Sequence, residues 1–455
     1  MLLIDIGSTY TKLAVADPDK ACIVATASAP TTVHDVGIGF SNGLAKLVDQ
    51  GVPESLLAER YASSSAAGGL RMVAVGLVPE LTLEASRRAA FGAGAKVVGS
   101  FAFKLTRSKL QSLIALAPDI ILLSGGTDGG EQATIVHNAE MIAASELDVP
   151  VVLAGNAEAV DEIKDLFAAS GKDLYITENV MPSINKLNIE PVREVIRNIF
   201  INRIILAKGL DKINSYINGV AMPTPLAVLE AARTMGELVE NGVLLLDIGG
   251  ATTDVHSISY GYPSRPTVVL KGLPEPYAKR TVEGDLGVRH NIRTIVDQVG
   301  KEKFFSWFPP DQSQLVEETM DAWAVKPDTI AKTPLEQSID LHLAASAVEM
   351  AVDRHCGRIE EMWTPDGKVV IQYGKDLTNV DLLLGTGGPL VNSPCPEKVL
   401  QGAKYDSAAP NLLKPRSPRI LIDKQYILFS IGLIRQRDPK LALSIAEKYL
   451  KTLEE

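Results

Sequence analysis

The chain has 455 residues, nearly half of them apolar, and sets 45 Lys and Arg against 55 Asp and Glu for a formal net charge of −10. At roughly 150 residues per domain this predicts two or three domains with a sizeable core, and the acidic balance argues against a nucleic-acid partner, because phosphate neutralisation needs a basic face. Cys22, Cys356 and Cys395 are far apart and odd in number, which excludes a zinc knuckle or disulfide framework and fits a reducing compartment.

The opening MLLIDIGSTY carries Asp5 inside the only early apolar stretch and has no basic leader, so no signal peptide is expected. No stretch reaches the ~20 apolar residues of a membrane span. The expected location is therefore the cytoplasm, with no membrane partner. Leu2 to Ile6 is a short apolar run ended by Gly7, and Lys12 to Ala16 resumes with alternation, which predicts a hairpin.

From Arg71 to Val180 five short apolar runs recur (RMVAVGLV, AKVVGSF, PDIILLSGG, VPVVLAG and DLYITENV), separated by helix-length segments at Leu81 to Phe91, Glu131 to Ser145 and Ala157 to Ser170. This rhythm predicts a parallel α/β layer with right-handed crossovers. Pro191 to Asn218 keeps helical spacing and predicts a long helix. MPTPLAVLEAARTMGEL then reads as a proline-led helix, and GVLLLDIGGATTDV as a buried strand ending in a glycine turn. Residues 262–335 read as loops and short helices. A helix is expected from Ser338 to Trp363, strands near Lys368 to Tyr373 and Val380 to Leu384, a glycine turn at Gly385 to Pro389, and a last strand and helix from Arg419 to Leu450.

The chain contains a repeat. Leu2 to Lys12 (LLIDIGSTYTK) and Leu244 to Asp254 (LLLDIGGATTD) lie 242 residues apart and agree at Leu, Leu, Asp, Ile, Gly and one Thr. An apolar strand feeding Asp-x-Gly and small hydroxylic residues suits a phosphate: the strand aims the aspartate, the glycine admits close backbone approach, and successive N–H groups cradle oxygens. The expected ligating residues are Asp5, Gly7, Ser8, Thr9 and Lys12 in the first copy, and Asp247, Gly249, Gly250, Thr252 and Thr253 in the second. Since a carboxylate repels phosphate, Asp5 and Asp247 are expected to hold Mg²⁺ through its retained waters and so to be the residues closest to any catalysis. Lys12 can reach a phosphate as a point charge. One Asp-x-Gly alone is more often a strand-end turn; two copies with a third glycine motif argue for a ligand.

That third motif is VDLLLGTGGPL, where Gly385, Thr386, Gly387, Gly388 and Pro389 follow a strand and leave bare backbone against which a flat base can lie. In TVEGDLGVRH, Gly284 and Asp285 precede a helical pattern and either contact phosphate or ribose or simply cap the helix.

In that order, DIGSTYTK, DIGGATTD, EGDLG and GTGGP resemble the two phosphate motifs, a third glycine motif and the adenosine motif of the superfamily of actin, heat-shock-70 chaperones and sugar kinases. The resemblance implies two ribonuclease-H-like, actin-like ATPase lobes with the nucleotide cleft between them and an inserted α/β domain. The lobes would be residues 1–70 with 181–240 and residues 241–455, carrying the irregular insertion 262–335, with 71–180 as the inserted domain. More narrowly, MLLIDIGSTYTKLAV, ILLSGGTDGG and LLLGTGGPLVN resemble the MutL (GlmL) family of accessory proteins of adenosylcobalamin-dependent glutamate (methylaspartate) mutase. This likeness implies binding of ATP and Mg²⁺, the mutase subunits as partners, and a reactivating chaperone role in replacing damaged cobalamin. Where heat-shock-70 members carry Glu-Pro-Thr, this chain has Met222-Pro223-Thr224, so the water-positioning carboxylate is absent and any ATPase activity is expected to be weak or partner-stimulated, with Glu230 as a possible substitute. Two alternatives stay open: a small-molecule kinase of the same superfold, with Asp247 or Asp254 as base, or a nucleotide-gated scaffold that does not hydrolyse.

Other features carry less. Ser124 to Gly130 (SGGTDGG) follows a strand and reads either as a second phosphate turn or as a structural βα turn. His34, His137, His256, His290, His342 and His355 lack metal-ligand spacing, and no Gly-x-Ser-x-Gly elbow supports a hydrolase.

Overall fold

The computed structural model describes residues 1–7, 10–32, 36–65, 70–201, 220–365 and 367–454. The chain divides into two units, Met1–Val228 with Gly272–Pro274, and Leu229–Lys271 with Glu275–Glu455.

In the first unit β1 (Leu2–Ile6), β2 (Tyr10–Asp17) and β3 (Cys22–Pro30) form an antiparallel meander, and β4 (Arg60–Ser64) and β10 (Val220–Pro223) add in parallel beside β1, giving the order β10-β4-β1-β2-β3. A second sheet, all parallel, comprises β5 (Arg71–Gly76), β6 (Lys96–Ala102), β7 (Ile120–Leu123), β8 (Val151–Leu153) and β9 (Leu174–Ile176) in the order β6-β5-β7-β8-β9. Its five strands are the five apolar runs named above. Between them run α1 (Glu84–Gly92), α2 (Arg107–Ala115), α3 (Ala133–Ala143) and α4 (Val160–Ser170). Alternate residues of these strands face two cores, as the two-residue period dictates. Met72, Ile120, Leu122 and Val152 join Leu2, Ile4 and Ile6 of the first sheet in one cluster, while Val73, Ile121, Leu123 and Leu153 form a second cluster with Ile135 and Phe167. The layer 71–176 thus shares a core with the first sheet. The long helix expected over 191–218 begins as α5 (Glu190–Ile199); residues 202–218 lie outside the described residues.

The second unit repeats the first sheet's topology. After α6 (Thr224–Gly236), β11 (Val243–Ile248), β12 (Thr253–Ile258) and β14 (Ala278–Glu283) form an antiparallel meander, with β17 (Leu382–Thr386) and β18 (Arg419–Ile422) parallel beside β11, in the order β14-β12-β11-β17-β18. Two sheets of one strand order and one set of directions make the fold ribonuclease-H-like and actin-like, as the motif order implies. A smaller sheet, β13-β16-β15, is built from Val268–Lys271, Gly367–Tyr373 and Arg358–Thr364.

Residues 262–335 also contain α7 (Ile292–Val299), and β14 is the third strand of the second sheet. The helix expected from Ser338 to Trp363 runs instead from Pro334 to His355 (α8). Thr333 and Glu336 cap its start reciprocally, and Cys356 turns to an extended ψ of 164°, releasing the chain into β15. The last helices are α9 (Leu428–Arg435) and α10 (Pro439–Glu454). Among the described residues no helix is long and apolar enough to cross a membrane.

Candidate functional site

The first Asp-x-Gly turn ends a fully buried strand. Gly7 N–H donates to Tyr10 O at 3.1 Å, and a Cβ at Gly7 would stand 2.6 Å from that same oxygen, so the turn closes only around glycine. Ser8 and Thr9 lie outside the described residues. Asp5 and Lys12 are direct cross-strand partners on β1 and β2, with Nζ and Oδ2 3.5 Å apart. Thr224 Oγ1, at the start of α6, donates to Asp5 Oδ1 at 2.5 Å, and Ser63 Oγ on β4 donates to the same oxygen at 3.3 Å. Asp5 is 2% exposed, so these donors replace the water that an isolated buried carboxylate would lack. The register runs Lys12, Asp5, Ser63, Met222 across four strands, which puts a buried methionine in line with the aspartate.

The second turn has the same frame with different charges. Gly249 N–H donates to Thr252 O at 2.9 Å, and Asp247 pairs across the hairpin with Asp254. Two aspartates facing each other would repel; Arg280 on β14 relieves this by placing Nε and Nη2 at 2.9 and 2.5 Å from Asp254 Oδ1, with Thr252 Oγ1 donating to Oδ2 at 3.1 Å. Thr253 Oγ1 is spent on Leu286 O at 2.8 Å.

The segment of the EGDLG motif packs onto this turn. Val288 N–H donates to Gly249 O, and the N–H groups of Arg289 and His290 both donate to Gly250 O. A Cβ on Gly287 would sit 2.2 Å from the Ala251 carbonyl carbon, which accounts for that glycine by packing. The Asp285 carboxylate turns to Arg354, with Nη1 and Nη2 at 2.8 and 2.9 Å, and to Gln298 at 2.9 Å. The Arg354 hydrogen bonds hold it down at about 2. Gly284 lies in the turn that follows β14.

The GTGGP turn joins the same end of the sheet, because Thr386 is in register with Asp247. Gly385 faces Leu390 and Leu400, and Gly387, at φ 110°, would drive a Cβ to 2.2 Å from Ile248 O. Both glycines are therefore required by packing. Gly388 differs: a Cβ there would meet only Tyr426 Oη at 3.8 Å and Asn392 Nδ2 at 4.0 Å, so its backbone is open to a ligand, and Pro389 then begins a short helix. Thr386 Oγ1 donates to Asp423, which also accepts Tyr449 Oη and the N–H groups of Ile427 and Leu428 at the start of α9. Burial pushes the Asp423 carboxyl up, and those four donors oppose the shift.

Ser63, Thr224, Arg280 and Asp423 are the residues that sequence reasoning missed. Thr224 lies in the MPTP stretch and Arg280 immediately precedes the TVEGDLGVRH motif, whereas Ser63 and Asp423 stand beside no recognised signal. Glu230 is committed elsewhere, to Arg233 at 3.4 Å and Arg435 at 3.3 Å. In the SGGTDGG turn Asp128 Oδ1 accepts Ala157 N–H and Asn179 Nδ2, and just after it Glu131 takes the Thr134 N–H at the head of α3, so the Asp128 carboxylate is already held by neighbouring segments of the chain.

The chain matches the MutL protein family over residues 1–450. It belongs to that family. It is 45% identical to Protein MutL of Clostridium tetanomorphum over 99% of this chain and 98% of that one. Solved structures of similar fold include the activator of 2-hydroxyisocaproyl-CoA dehydratase from Clostridium difficile with bound ADPNP, at 10% identity and a TM-score of 0.33 over 100% and 99% of the two chains. Nucleotide-free acetone carboxylase is another, at 12% identity and 0.40 over 95% and 69%. For this MutL-family chain, the two Asp-x-Gly turns thus stand at equivalent points of two sheets with one topology, within the full span of the family match.

Proposed function

We propose that this MutL-family protein binds ATP through its two Asp-x-Gly turns and uses it as an accessory factor to an adenosylcobalamin-dependent glutamate mutase, helping that enzyme exchange damaged cobalamin. The observation that carries the nucleotide reading is the equivalence of Asp5 and Asp247, each on the central strand of its sheet immediately before a glycine turn. Gly388, open to a ligand beside Thr386, is the contact proposed for adenine. The mutase as partner is supported by the family membership.

One aspartate at each turn is a sparse donor set, and among the described residues no group of three or more His, Cys, Asp and Glu gathers into a metal cage. That suits Mg²⁺ keeping several waters and taking nucleotide oxygens, with Asp5 and Asp247 holding it by its waters. The ion would offset the charge of the polyphosphate.

Turnover is proposed to be slow without the partner. The in-line position holds Met222, and Glu230 is tied to two arginines. A kinase is disfavoured for a related reason: Asp254, one candidate base, is buried against Arg280. The test is co-purification of the chain with glutamate mutase subunits with and without MgATP, alongside ATP hydrolysis. A nucleotide-sensitive complex and partner-stimulated hydrolysis are expected. Phosphorylation of a small molecule with no effect of the mutase would replace this reading with the kinase.

A further inference from the structure

At the end of the second sheet away from the Gly249 turn, about one strand length or 17–20 Å along β11, a cavity of about 230 Å³ opens between the start of β11, the end of β12 and the approach to β17. Its wall is aromatic. Tyr260 and Tyr262 stack with ring centroids 5.7 Å apart and an interplanar angle of 5°, and Tyr277 leans on Tyr260 at 4.9 Å. Two tyrosines just after β12, with a third just before β14, would ordinarily bury part of their rings, yet Tyr260 and Tyr262 are 65% and 67% exposed.

Two further observations give the cavity a polarity. Ser259 lines it, is 8% exposed, and its Oγ has no hydrogen-bond partner among the described residues. A buried hydroxyl left so costs free energy that a ligand can recover. Moreover, Glu240 and Asp376 stand in the lining and no Lys or Arg does. The Asp376 carboxylate is already held by Thr378 and by the Ser264 N–H, so it supplies negative field rather than a free acceptor. Nearby cations face other groups: Lys375 Nζ points at Ser257, Pro276 and Tyr277 carbonyl oxygens, and Arg435 is paired with Glu237 and Glu230.

We infer that this cavity binds a guanidinium group, as an arginine side chain presented by a partner protein. Stacked tyrosine faces attract a planar cation, Arg is the cation that stacks as well as hydrogen-bonds, and Tyr paired with Arg is the composition of interface hot spots. The inference does not depend on the nucleotide reading, since it uses none of the turn residues.

The experiment is saturation-transfer NMR and calorimetry on the full chain with three probes: doubly capped arginine, capped citrulline as its neutral isostere, and a glycine-flanked arginine peptide. Capped arginine should bind and citrulline should not. Tyr260→Leu and Tyr262→Leu, both at exposed positions, should each weaken binding about two- to five-fold, as one exposed cation–π contact does. Tighter binding of the peptide than of free arginine would identify a partner chain as the source; the reverse order would identify a small molecule and overturn that part. Equal binding of citrulline, or retention in the double tyrosine variant, would overturn the guanidinium site altogether.

Discussion

Lys12 and Asp254 occupy the same position in the two sheets: each lies directly across the hairpin from the aspartate of its turn, Lys12 opposite Asp5 and Asp254 opposite Asp247. The repeat therefore preserves geometry while reversing charge, and the second copy has recruited Arg280 from a third strand to restore balance. Removing Arg280 alone should strand a buried carboxylate. Arg280→Met is expected to cost about 3–5 kcal/mol, whereas Arg280→Met with Asp254→Leu should recover most of that loss. Urea unfolding of the single and double variants checks it; equal losses would mean that the pair is not coupled.

The glycines of the GTGGP turn should separate packing from ligand contact. Gly387→Ala meets Ile248 at a left-handed φ and should lower stability by about 1–3 kcal/mol. Gly388→Ala meets nothing closer than 3.8 Å and should leave the melting temperature within a few degrees while weakening ATP. Thermal denaturation beside nucleotide titration reads both. A Gly388→Ala protein that bound ATP like the parent would remove adenine from this turn.

Acid should expose the Asp285 to Arg354 pair. The folded carboxyl is depressed from 3.8 to about 2, chiefly by the Arg354 hydrogen bonds. Its contribution is therefore complete above the unfolded value and is lost as pH falls from about 4 through about 2. The pair is substantially exposed, so its worth is at most about 1 kcal/mol. Asp285→Asn, which leaves Arg354 paired with Glu283, should flatten the acid limb of stability between those pH values without altering the neutral plateau by more than that amount.

What could be read from the sequence follows sequence distance. The repeat, the five parallel strands and the glycine turns are local patterns: alternating or continuous apolar runs closed by glycine. The partners that complete the site are not local. Ser63 reaches Asp5 across 58 residues and Thr224 across 219, and nothing in their neighbourhoods announces a carboxylate. AKRTVE carries no strand signal because four of its six residues are polar, as suits the edge strand β14 beside inner strands that are buried on both faces. The expected helix ran past its real end because Cys356 turns extended and Gly357 then packs against the backbone of Tyr373 to Lys375, where no Cβ fits, which periodicity alone does not register.

The central claim is that both aspartates serve one MgATP. Calorimetric titration of the parent, Asp5→Asn and Asp247→Asn with a non-hydrolysable ATP analogue, with and without Mg²⁺, tests it most directly; asparagine keeps the shape that Thr224, Ser63 and Lys12 surround. The expected result is one Mg²⁺-dependent site in the parent, weakened at least about tenfold, or by ~1.4 kcal/mol, in each variant. Undiminished Mg²⁺-dependent binding by either variant would contradict a nucleotide held by the two turns together.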